Sequence, residues 1–466
     1  MASHIKMNAS DAWKWLIAVG LPLLILLIPV SETFTSEARM FLVLSIMAIL
    51  VIAFGLMDML IPSILLPTAY VVFKVTDTAT AFKGYATQTL WIILGAYVLT
   101  VALDECGILK RISYVIIKRL GGSYNATLYA IYIVGVVLGQ LCFCGHYFLM
   151  IGFVYGICKA MNLKPMSKEG AIMMGVGGMA ALNVKVFLYQ TSNMSLLTEG
   201  MKTVYPDFSI TPIQLLLYNF PEFFVALAFI WVVTKVFKTK DVQFEGGKEY
   251  FNRMHREMGP MSVAEKKAAV LLAILMCYIM FQPVHGFPLN YGFMVLPYFC
   301  FFPGINIAST ECLKKIRQFF GTFAFAGACI GIGQVATALG LGVLLAQIAM
   351  PVLAPLGKTG LTFGVLVLGS VANLLLTPAA MCSLLSPALA SIYDALGYAP
   401  MTSILTVIYS LDMIFLPHEV TAYLVLFGFG MMNMKQFVAF FGGKSIFTFL
   451  LFGIVQIPWW HFLGLF

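Results

Sequence analysis

Residues 124–160 read YNATLYAIYIVGVVLGQLCFCGHYFLMIGFVYGICKA, an apolar run with a cysteine-glycine-histidine step at its middle. A helix needs about 20 apolar residues to cross the hydrocarbon of a bilayer, so this run is too long for one span and too short for two. Residues 360–391 form a second run of this kind. Irregular backbone survives in a membrane only where protein or a cavity surrounds it, which predicts two re-entrant hairpins that turn back at mid-membrane.

The rest of the chain is equally apolar. Hydrophobic residues make up 61% of its 466 residues and charged residues 10%, whereas a soluble domain has about 25% charged residues. The sequence therefore predicts an all-α polytopic membrane protein of about 11 transmembrane helices plus the two hairpins. The apolar runs outside the hairpins lie near residues 13–30, 39–57, 59–74, 88–106, 169–192, 212–237, 267–283, 288–303, 318–340, 401–432 and 443–463.

Charge placement predicts how the chain is oriented. The net charge is +8, but the basic residues cluster in short loops between apolar runs, which favours a membrane protein over a nucleic-acid binder. The basic loops, near 110–119, 159–168, 235–267, 314–317 and 435–444, all fall on one side when the spans and hairpins are counted. The positive-inside rule makes that side the cytoplasm and predicts a bacterial inner-membrane protein with a cytoplasmic amino terminus. Loops that contain Glu32 and Glu37, or Glu199 and Asp207, are not basic and belong outside.

The first apolar run predicts a retained helix. It follows Lys6 and Lys14, as a signal peptide would, but no small-x-small cleavage site comes after it. Many more apolar runs follow, which also favours a helix that stays in the protein.

The two halves of the chain resemble each other at an offset of roughly 230 residues. Residues 89–97 begin an apolar run that ends at Gly107. Residues 319–325 begin a similar run that ends at Gly340. An amphipathic stretch, a hairpin run and a helix with a polar break follow in each half. An odd number of spans between equivalent points predicts inverted repeats, an architecture typical of secondary transporters. The predicted parts are N-terminal scaffold helices 1–81, a first repeat 82–211, connecting helices 212–313 with a cytoplasmic linker 238–266, a second repeat 314–442 and a C-terminal helix 443–466.

Several motifs resemble the divalent anion–sodium symporter family of dicarboxylate transporters, within the wider ion transporter superfamily. They are Phe82-Lys83-Gly84-Tyr85, residues 89–96, residues 107–112 and the tail Ile457-Pro458-Trp459-Trp460-His461-Phe462-Leu463-Gly464. The resemblance implies an eleven-span, two-hairpin fold, a homodimer and elevator movement of a transport domain against a scaffold. It also implies Ser-Asn-Thr hairpin tips that contact substrate carboxylates and sodium ions, and Pro-Pro-Asn breaks in the fifth and tenth helices.

The chain departs from the family at those motifs. Its hairpin tips read Cys144-Gly145-His146 and Thr377-Pro378-Ala379, and its breaks lie near residues 185–193 and 416–420. The resemblance therefore predicts the fold, but it does not predict the family's usual sodium and dicarboxylate contacts. By position, the predicted substrate-binding residues are His146, Gly145, Cys144, Thr377, Pro378, Ala379, Ser192 and Asn193.

Ionisable residues at the breaks are the predicted coupling or ion site, because a charge inside a membrane costs about 2.5–3.5 kcal/mol on insertion scales. Where the family's first break helps to hold sodium, Lys185 could stand as a tethered cation that attracts an anionic substrate; the alternative is a lysine that reaches an interface. Glu419 could bind a cation or a proton, or form a structural pair with Lys185. The full predicted set is Lys185, Glu419, His418, Gln190 and Asp412, the last as a second proton site or a partner of Lys185.

Other interpretations of these polar residues remain open. His146 either bonds substrate or satisfies a backbone carbonyl freed at the tip. A metal site at Cys142, Cys144 and His146 is a weak signal, because the spacing suits a strand better than a helix. Small polar residues of the second hairpin, Asn373 and Ser383 among them, either line a site or pack helices together.

These observations predict a secondary active transporter of small organic anions, with carboxylates as the favoured class, working by alternating access. The altered tips favour proton coupling or anion exchange over ordinary two-sodium symport. The alternatives are a sodium-coupled dicarboxylate symporter with altered sodium sites, or a cation/proton antiporter without an organic substrate. We expect no enzyme activity, no resident cofactor beyond sodium or protons as coupling ion, no metal site and no nucleic-acid partner. The expected partners are the anion, the lipid bilayer and a second copy in a homodimer.

Overall fold

The computed structural model describes residues 9–31, 34–120, 122–142, 146–182, 191–239, 247–287, 289–341, 344, 351, 354–375 and 378–466. These residues form helices and turns and contain no strand. In chain order, the α-helices of four or more residues are α1 Ala9–Trp15, α2 Ser36–Ala53, α3 Leu60–Val72, α4 Thr78–Phe82, α5 Gln88–Cys106, α6 Ile108–Leu120, α7 Tyr124–Cys142, α8 His146–Ala160, α9 Lys168–Ala181, α10 Thr191–Met201, α11 Pro212–Val236, α12 Gly247–Glu257, α13 Val263–Met280, α14 Gln282–His285, α15 Leu289–Val295, α16 Ile316–Ala338, α17 Gly357–Leu375, α18 Pro378–Ala395, α19 Met401–Leu411, α20 Thr421–Gly428, α21 Met434–Phe437, α22 Gly443–Leu451 and α23 Ile457–Phe462.

Five helical stretches among the described residues are long and apolar enough to cross a membrane. They are Thr78–Cys106, Tyr124–Cys142, Pro212–Val236, Phe320–Ala338 and Met434–Phe462. This agrees with the predicted class of polytopic helical membrane protein. The total of 11 spans stays a prediction.

Local capping fixes where two of the long helices begin. The Thr211 side chain accepts from the Gln214 N–H while the Gln214 side chain accepts from the Thr211 N–H, and Pro212 occupies the first turn of α11. Ser262 and Glu265 form the same reciprocal pair at the start of α13. Each pair satisfies two of the backbone donors that a helix start leaves open.

Both predicted hairpins contain two helices. The first consists of α7 and α8 on either side of residues 143–145, and the second of α17 and α18 on either side of residues 376–377. The helix predicted to be interrupted near Pro417 is also divided, because α19 ends at Leu411 and α20 begins at Thr421. The first predicted break falls between α9 and α10, and residues 183–190 lie outside the described part. That the hairpins turn at mid-membrane stays a prediction.

Chain contacts divide the protein into two compact units. Unit 1 comprises residues 1–90, 196–208 and 317–407, and unit 2 comprises residues 91–195, 209–316 and 408–466. This division does not test the repeat boundaries predicted from the sequence, which stay a prediction.

Unit 1 shows why the Phe82-Lys83-Gly84-Tyr85 motif has a glycine and a tyrosine. A Cβ at Gly84 would lie 2.2 Å from the carbonyl oxygen of Gly327, so only glycine allows this approach to α16. The Tyr85 hydroxyl donates to the Ser63 carbonyl oxygen at 2.8 Å. Pro67, four residues after Ser63 inside α3, has no N–H to bond that oxygen. The tyrosine therefore supplies the donor that the proline removes.

At the carboxyl end of unit 2, an aromatic side chain likewise donates to a carbonyl oxygen that a proline leaves unbonded. Pro221 inside α11 has no N–H for the Leu217 carbonyl oxygen. The indole Nε1 of Trp459 donates to that oxygen at 2.9 Å. The neighbouring Tyr218 carbonyl oxygen accepts from Trp460 Nε1 at 3.0 Å and from Gln456 Nε2 at 2.6 Å. The two tryptophans of the tail thus join α23 to α11, the helix that contains this proline.

The segment 238–266 contains more than the predicted linker. Its helix α12 packs against α6, and Phe251 is 1% exposed. The reason lies in the spacing, since Tyr250, Phe251, Met254 and Met258 fall on one helical face and pack on the core of unit 2.

The predicted basic loop 110–119 is also a helix. Arg111 in α6 is 8% exposed and binds Glu265 of α13, so it is a buried partner and not a loop charge. Neighbouring apolar residues of α6 are buried in the core of unit 2, and their burial places the Arg111 side chain inside the protein.

Candidate functional site

The second break, residues 412–420, separates α19 from α20 and contains a 3₁₀ turn at Pro417–Glu419. Leu416 is extended, with φ −128° and ψ 147°. A residue before proline is driven into this region because the proline ring crowds its backbone. α19 has already ended at Leu411, and the extended backbone before Pro417 leaves main-chain groups that other parts of the protein must bond.

Glu419 bonds the N–H groups that the break leaves open. Its side chain is buried, and Oε1 accepts from the Phe415 N–H at 2.9 Å and from the Leu416 N–H at 2.6 Å. A carboxylate on free backbone N–H groups is a strong, charge-assisted contact. Glu419 therefore stabilises the backbone conformation of the break.

Lys444 and Ser445 of α22 bond the carbonyl groups of the break. The Lys444 ammonium forms an ion pair with the Asp412 carboxylate and also donates to the Asp412 carbonyl oxygen at 3.3 Å. Ser445 Oγ donates to the Ile414 carbonyl oxygen at 3.0 Å. The ion pair is buried, with side-chain exposures of 6% for Lys444 and 8% for Asp412. A cation thus contacts unwound backbone and a carboxylate within the apolar part of unit 2.

The helix α11, which packs against α22, also carries buried polar groups. Glu222 is 4% exposed. One turn earlier, Asn219 is fully buried, and its amide oxygen and nitrogen have no hydrogen-bond partner within the described chain. Unit 2 therefore has buried polar groups on α11 as well as at the second break and on α22.

The helix that leads to the first break packs on the helix that follows the second. A Cβ at Gly178 of α9 would lie 2.5 Å from Leu426 of α20, and at Gly175 it would lie 2.8 Å from the ring of Phe440. Gly178 lies three residues before the end of α9, so its lack of a side chain lets the end of α9 approach α20 in unit 2.

The residues predicted from the sequence fall into three groups. Cys144, Gly145, Thr377, Lys185 and Gln190 lie outside the described residues. His146 and Ser192 begin α8 and α10, and His418 lies in the 3₁₀ turn; only their backbone is described. Pro378 and Ala379 begin α18 in unit 1, while Asn193, Asp412 and Glu419 belong to unit 2.

The structure brings Asp412 and Glu419 together at one break, where both bond this chain's own groups. The described ion-pair partner of Asp412 is Lys444. The prediction that Lys444 belongs to a cytoplasmic basic loop is wrong, because it lies in α22 and is 5% exposed. Its position at the start of an apolar run, directly after Gly442-Gly443, is the signal that would have indicated burial.

Comparison with known proteins identifies the family. A family model described as the sodium:sulfate symporter transmembrane region matches residues 9–466. A membrane protein of Cupriavidus necator is 22% identical over 271 residues, which are 57% of this chain and 53% of that protein. The chain thus spans about half the length of the curated relative it matches.

Two solved structures have a similar fold. The YdaH transporter of Alcanivorax borkumensis is 15% identical with a TM-score of 0.55, and the comparison covers 97% of each chain. MtrF of Neisseria gonorrhoeae, described among antimetabolite efflux pumps, is 12% identical with a TM-score of 0.53 over 98% of this chain and 96% of that one. At these identities the likeness concerns the fold.

Proposed function

The chain belongs to the family of the sodium:sulfate symporter transmembrane region, and from this premise we propose that it is a secondary active transporter of small organic anions, with carboxylates as the substrate class. Transport proceeds by alternating access. It is coupled to protons or works as an anion exchange, and differs from ordinary two-sodium symport. The protein is a multi-pass membrane transporter and not an enzyme; the substrate and the coupling are the proposal.

The ammonium group of Lys444 at the second break is the observation that carries this proposal. A mobile cation bound at a broken helix would take carbonyl and carboxylate oxygens as ligands. Lys444 already contacts one oxygen of each kind, both from Asp412. The ammonium of Lys444 thus takes ligands of the kind that a mobile cation would take, and it is never released from the protein. This favours a coupling mode in which no sodium ion is needed at this break.

The substrate site itself belongs to the hairpin tips and breaks. We assign substrate contacts to His146, Gly145 and Cys144 of the first tip, to Thr377, Pro378 and Ala379 of the second, and to Ser192 and Asn193 after the first break. Lys185, Gln190, His418, Asp412 and Glu419 are the coupling residues of the proposal. Helix amino termini at α8 and α18 would direct N–H groups at a carboxylate.

The wider arrangement is part of the same proposal. The protein works as a homodimer in a bacterial inner membrane, with its amino terminus in the cytoplasm and two inverted repeats whose transport part moves as an elevator. The antiporter alternative would use the carboxylates of Asp412 and Glu419 without an organic substrate. Absence of stabilisation by any of the anions tested below would favour it over the proposal.

The test is thermal stabilisation of the purified protein by mono-, di- and tricarboxylates, sulfate and sulfonates, each in sodium and in choline buffer. We expect one carboxylate class to raise the unfolding temperature equally in both buffers. The same anion should then be taken up or exchanged by proteoliposomes without a sodium gradient.

Two outcomes would contradict the proposal. Stabilisation only by sulfate would move the substrate class to inorganic anions. Stabilisation by carboxylates only in sodium would restore the sodium-coupled alternative and give Lys444 a structural role.

A further inference from the structure

A turn of unit 2, residues 281–287, leads from α13 to α15 and contains the short helix α14, which ends at His285. In the sequence it comes at the end of the apolar run 267–283 and directly before the run 288–303. None of the residues assigned to the hairpin tips or to the two breaks belongs to it. The turn is therefore separate from the anion site of the proposed function.

Both ring nitrogens of His285 bond the main chain around this turn. Nδ1 accepts from the Phe287 N–H, with 3.0 Å between the two nitrogen atoms. Nε2 lies 2.8 Å from the carbonyl oxygen of Tyr278, in the last turn of α13. The last carbonyl groups of a helix lack a partner within that helix, and a histidine is one of the side chains that can bond them. The imidazole thus ties the end of α13 to the backbone that follows α14.

These two partners fix the protonation state of the ring. A backbone N–H can only donate, so Nδ1 is the nitrogen without a hydrogen. A carbonyl oxygen can only accept, so Nε2 carries the hydrogen. The contacts of His285 therefore require a neutral imidazole in one tautomer.

Aromatic contacts hold the imidazole in this orientation. Its centroid lies 4.6 Å from that of the Tyr278 ring and 5.7 Å from that of the Phe287 ring, with interplanar angles of 24° and 28°. The Tyr278 ring packs in turn on Gly292 of α15, where a Cβ would lie 2.6 Å from it. A change of protonation at His285 therefore acts on the same two main-chain groups.

The surroundings of His285 contain no other charge along the chain. Residues 268–310 include no aspartate, glutamate, lysine or arginine, and the charged residues of α13 lie at the opposite end of that helix. Within the described residues, His285 forms no ion pair and no hydrogen bond beyond the two to the main chain. The other titratable side chains at this end of α13 and on α15 are Cys277, Tyr278 and Tyr291.

Protonation would affect the two hydrogen bonds differently. An imidazole takes up a proton between pH 5 and pH 8 more readily than other side chains do. Both of its nitrogens are then donors, so Nδ1 can no longer accept from the Phe287 N–H. Nε2 keeps its hydrogen and its bond to Tyr278, because a positive charge is favourable beside the carboxyl end of a helix.

We propose that His285 is a proton-sensing residue whose protonation releases the main chain at Phe287 while the ring stays bonded to the end of α13. The turn is closed at pH 8 and open at pH 5. The orientation given under the proposed function places it on the outer side of the membrane, but the response to protons does not depend on that orientation or on the substrate.

The released segment leads into a closely packed helix. α15 begins at Leu289, two residues after Phe287. A Cβ at Gly95 of α5 would lie 2.0 Å from the Phe293 carbonyl oxygen, so α15 is in direct backbone contact with α5. Protonation of His285 thus changes how firmly the chain is held where it enters this contact.

The experiment is hydrogen–deuterium exchange of the purified protein in detergent at pH 5 and pH 8, resolved to the Phe287 amide by electron-transfer fragmentation. After correction for the pH dependence of intrinsic exchange, we expect this amide to be about two- to tenfold better protected at pH 8, the effect of one hydrogen bond. His285→Phe keeps an aromatic ring but has no acceptor, so its Phe287 amide should exchange fast at both pH values. His461→Phe, an exposed histidine stacked 4.3 Å from Phe466, is the matched control and should behave like the unmodified protein.

Equal protection of the Phe287 amide at both pH values in the unmodified protein would overturn the proposal. So would a pH dependence that persists in His285→Phe, because another group would then sense the proton. If His285→Phe fails to fold, the unmodified protein and His461→Phe still decide the question. Thermal shifts with carboxylates, measured on the same samples, report the proposed anion site separately.

Discussion

Two buried ion pairs in unit 2 perform different tasks. The Arg111 guanidinium bonds both carboxylate oxygens of Glu265, at 2.7 and 3.0 Å, and the carbonyl oxygens of Met258, Gly259 and Pro260. The Lys444 ammonium bonds the carboxylate of Asp412 and one carbonyl at a helix break. The first pair closes a turn between α12 and α13, whereas the second lies where the main chain is unwound.

The difference follows from the shape of the two cations. The planar guanidinium of arginine can bond a carboxylate through two atoms and still reach a loop with its other donors. The ammonium of lysine is a compact point charge with three donors that adapts to changing partners. Arg111 is therefore suited to a fixed joint between helices, and Lys444 to an unwound segment whose bonding groups are irregularly placed.

The largest expected effect is on stability, at the first pair. Arg111→Ala leaves the Glu265 carboxylate and three carbonyls without their donor, so we expect the free energy of unfolding to fall by about 3–5 kcal/mol. Arg111→Lys should restore little of the lost free energy of unfolding, because an ammonium cannot form the two-atom contact of a guanidinium with the Glu265 carboxylate. Titration with sodium dodecyl sulfate measures the change. Arg253→Ala removes an exposed pair with Glu257 at 3.8 Å and should cost less than about 1 kcal/mol.

A loss of less than about 1 kcal/mol in Arg111→Ala would contradict the view of this pair as the fixed joint. It would also remove the contrast with Lys444.

The second expected effect is on transport, at the second pair. Lys444→Met removes the cation at the break, and we expect at least a tenfold lower rate of anion uptake per folded protein, with a smaller loss of stability than in Arg111→Ala. Lys435→Met, an exposed lysine nine residues earlier, is the control and should transport normally. Uptake in proteoliposomes measures the rate. Normal uptake by Lys444→Met would make this pair structural, like the first.

The smallest expected effect is on the pH dependence of stability. Glu265 precedes the apolar part of α13, and the hydrogen bonds from Arg111 lower the pKa of its carboxyl. A lowered pKa in the folded state adds stability above the usual pKa of 4.5, and this contribution is lost as pH falls through the lowered value. Unfolding temperatures of the unmodified protein and of Glu265→Gln should therefore converge on acidification. A difference that is constant with pH would contradict this origin.

The sequence by itself determined the class of the protein, the run of α5 at 88–106 and of α11 near 212–237, and the break at Pro417. It also indicated the family. The reason is that the length of apolar runs and the effects of proline act locally, within a few residues.

Only the tertiary structure decided which charges meet. Asp412 pairs with Lys444, 32 residues away, and the apolar face of α12 packs against α6, which is more than 100 residues earlier in the chain. These choices depend on how each helix is rotated against its neighbours, and small residues such as Gly178 and Gly200 fix that rotation through contacts that no local pattern contains.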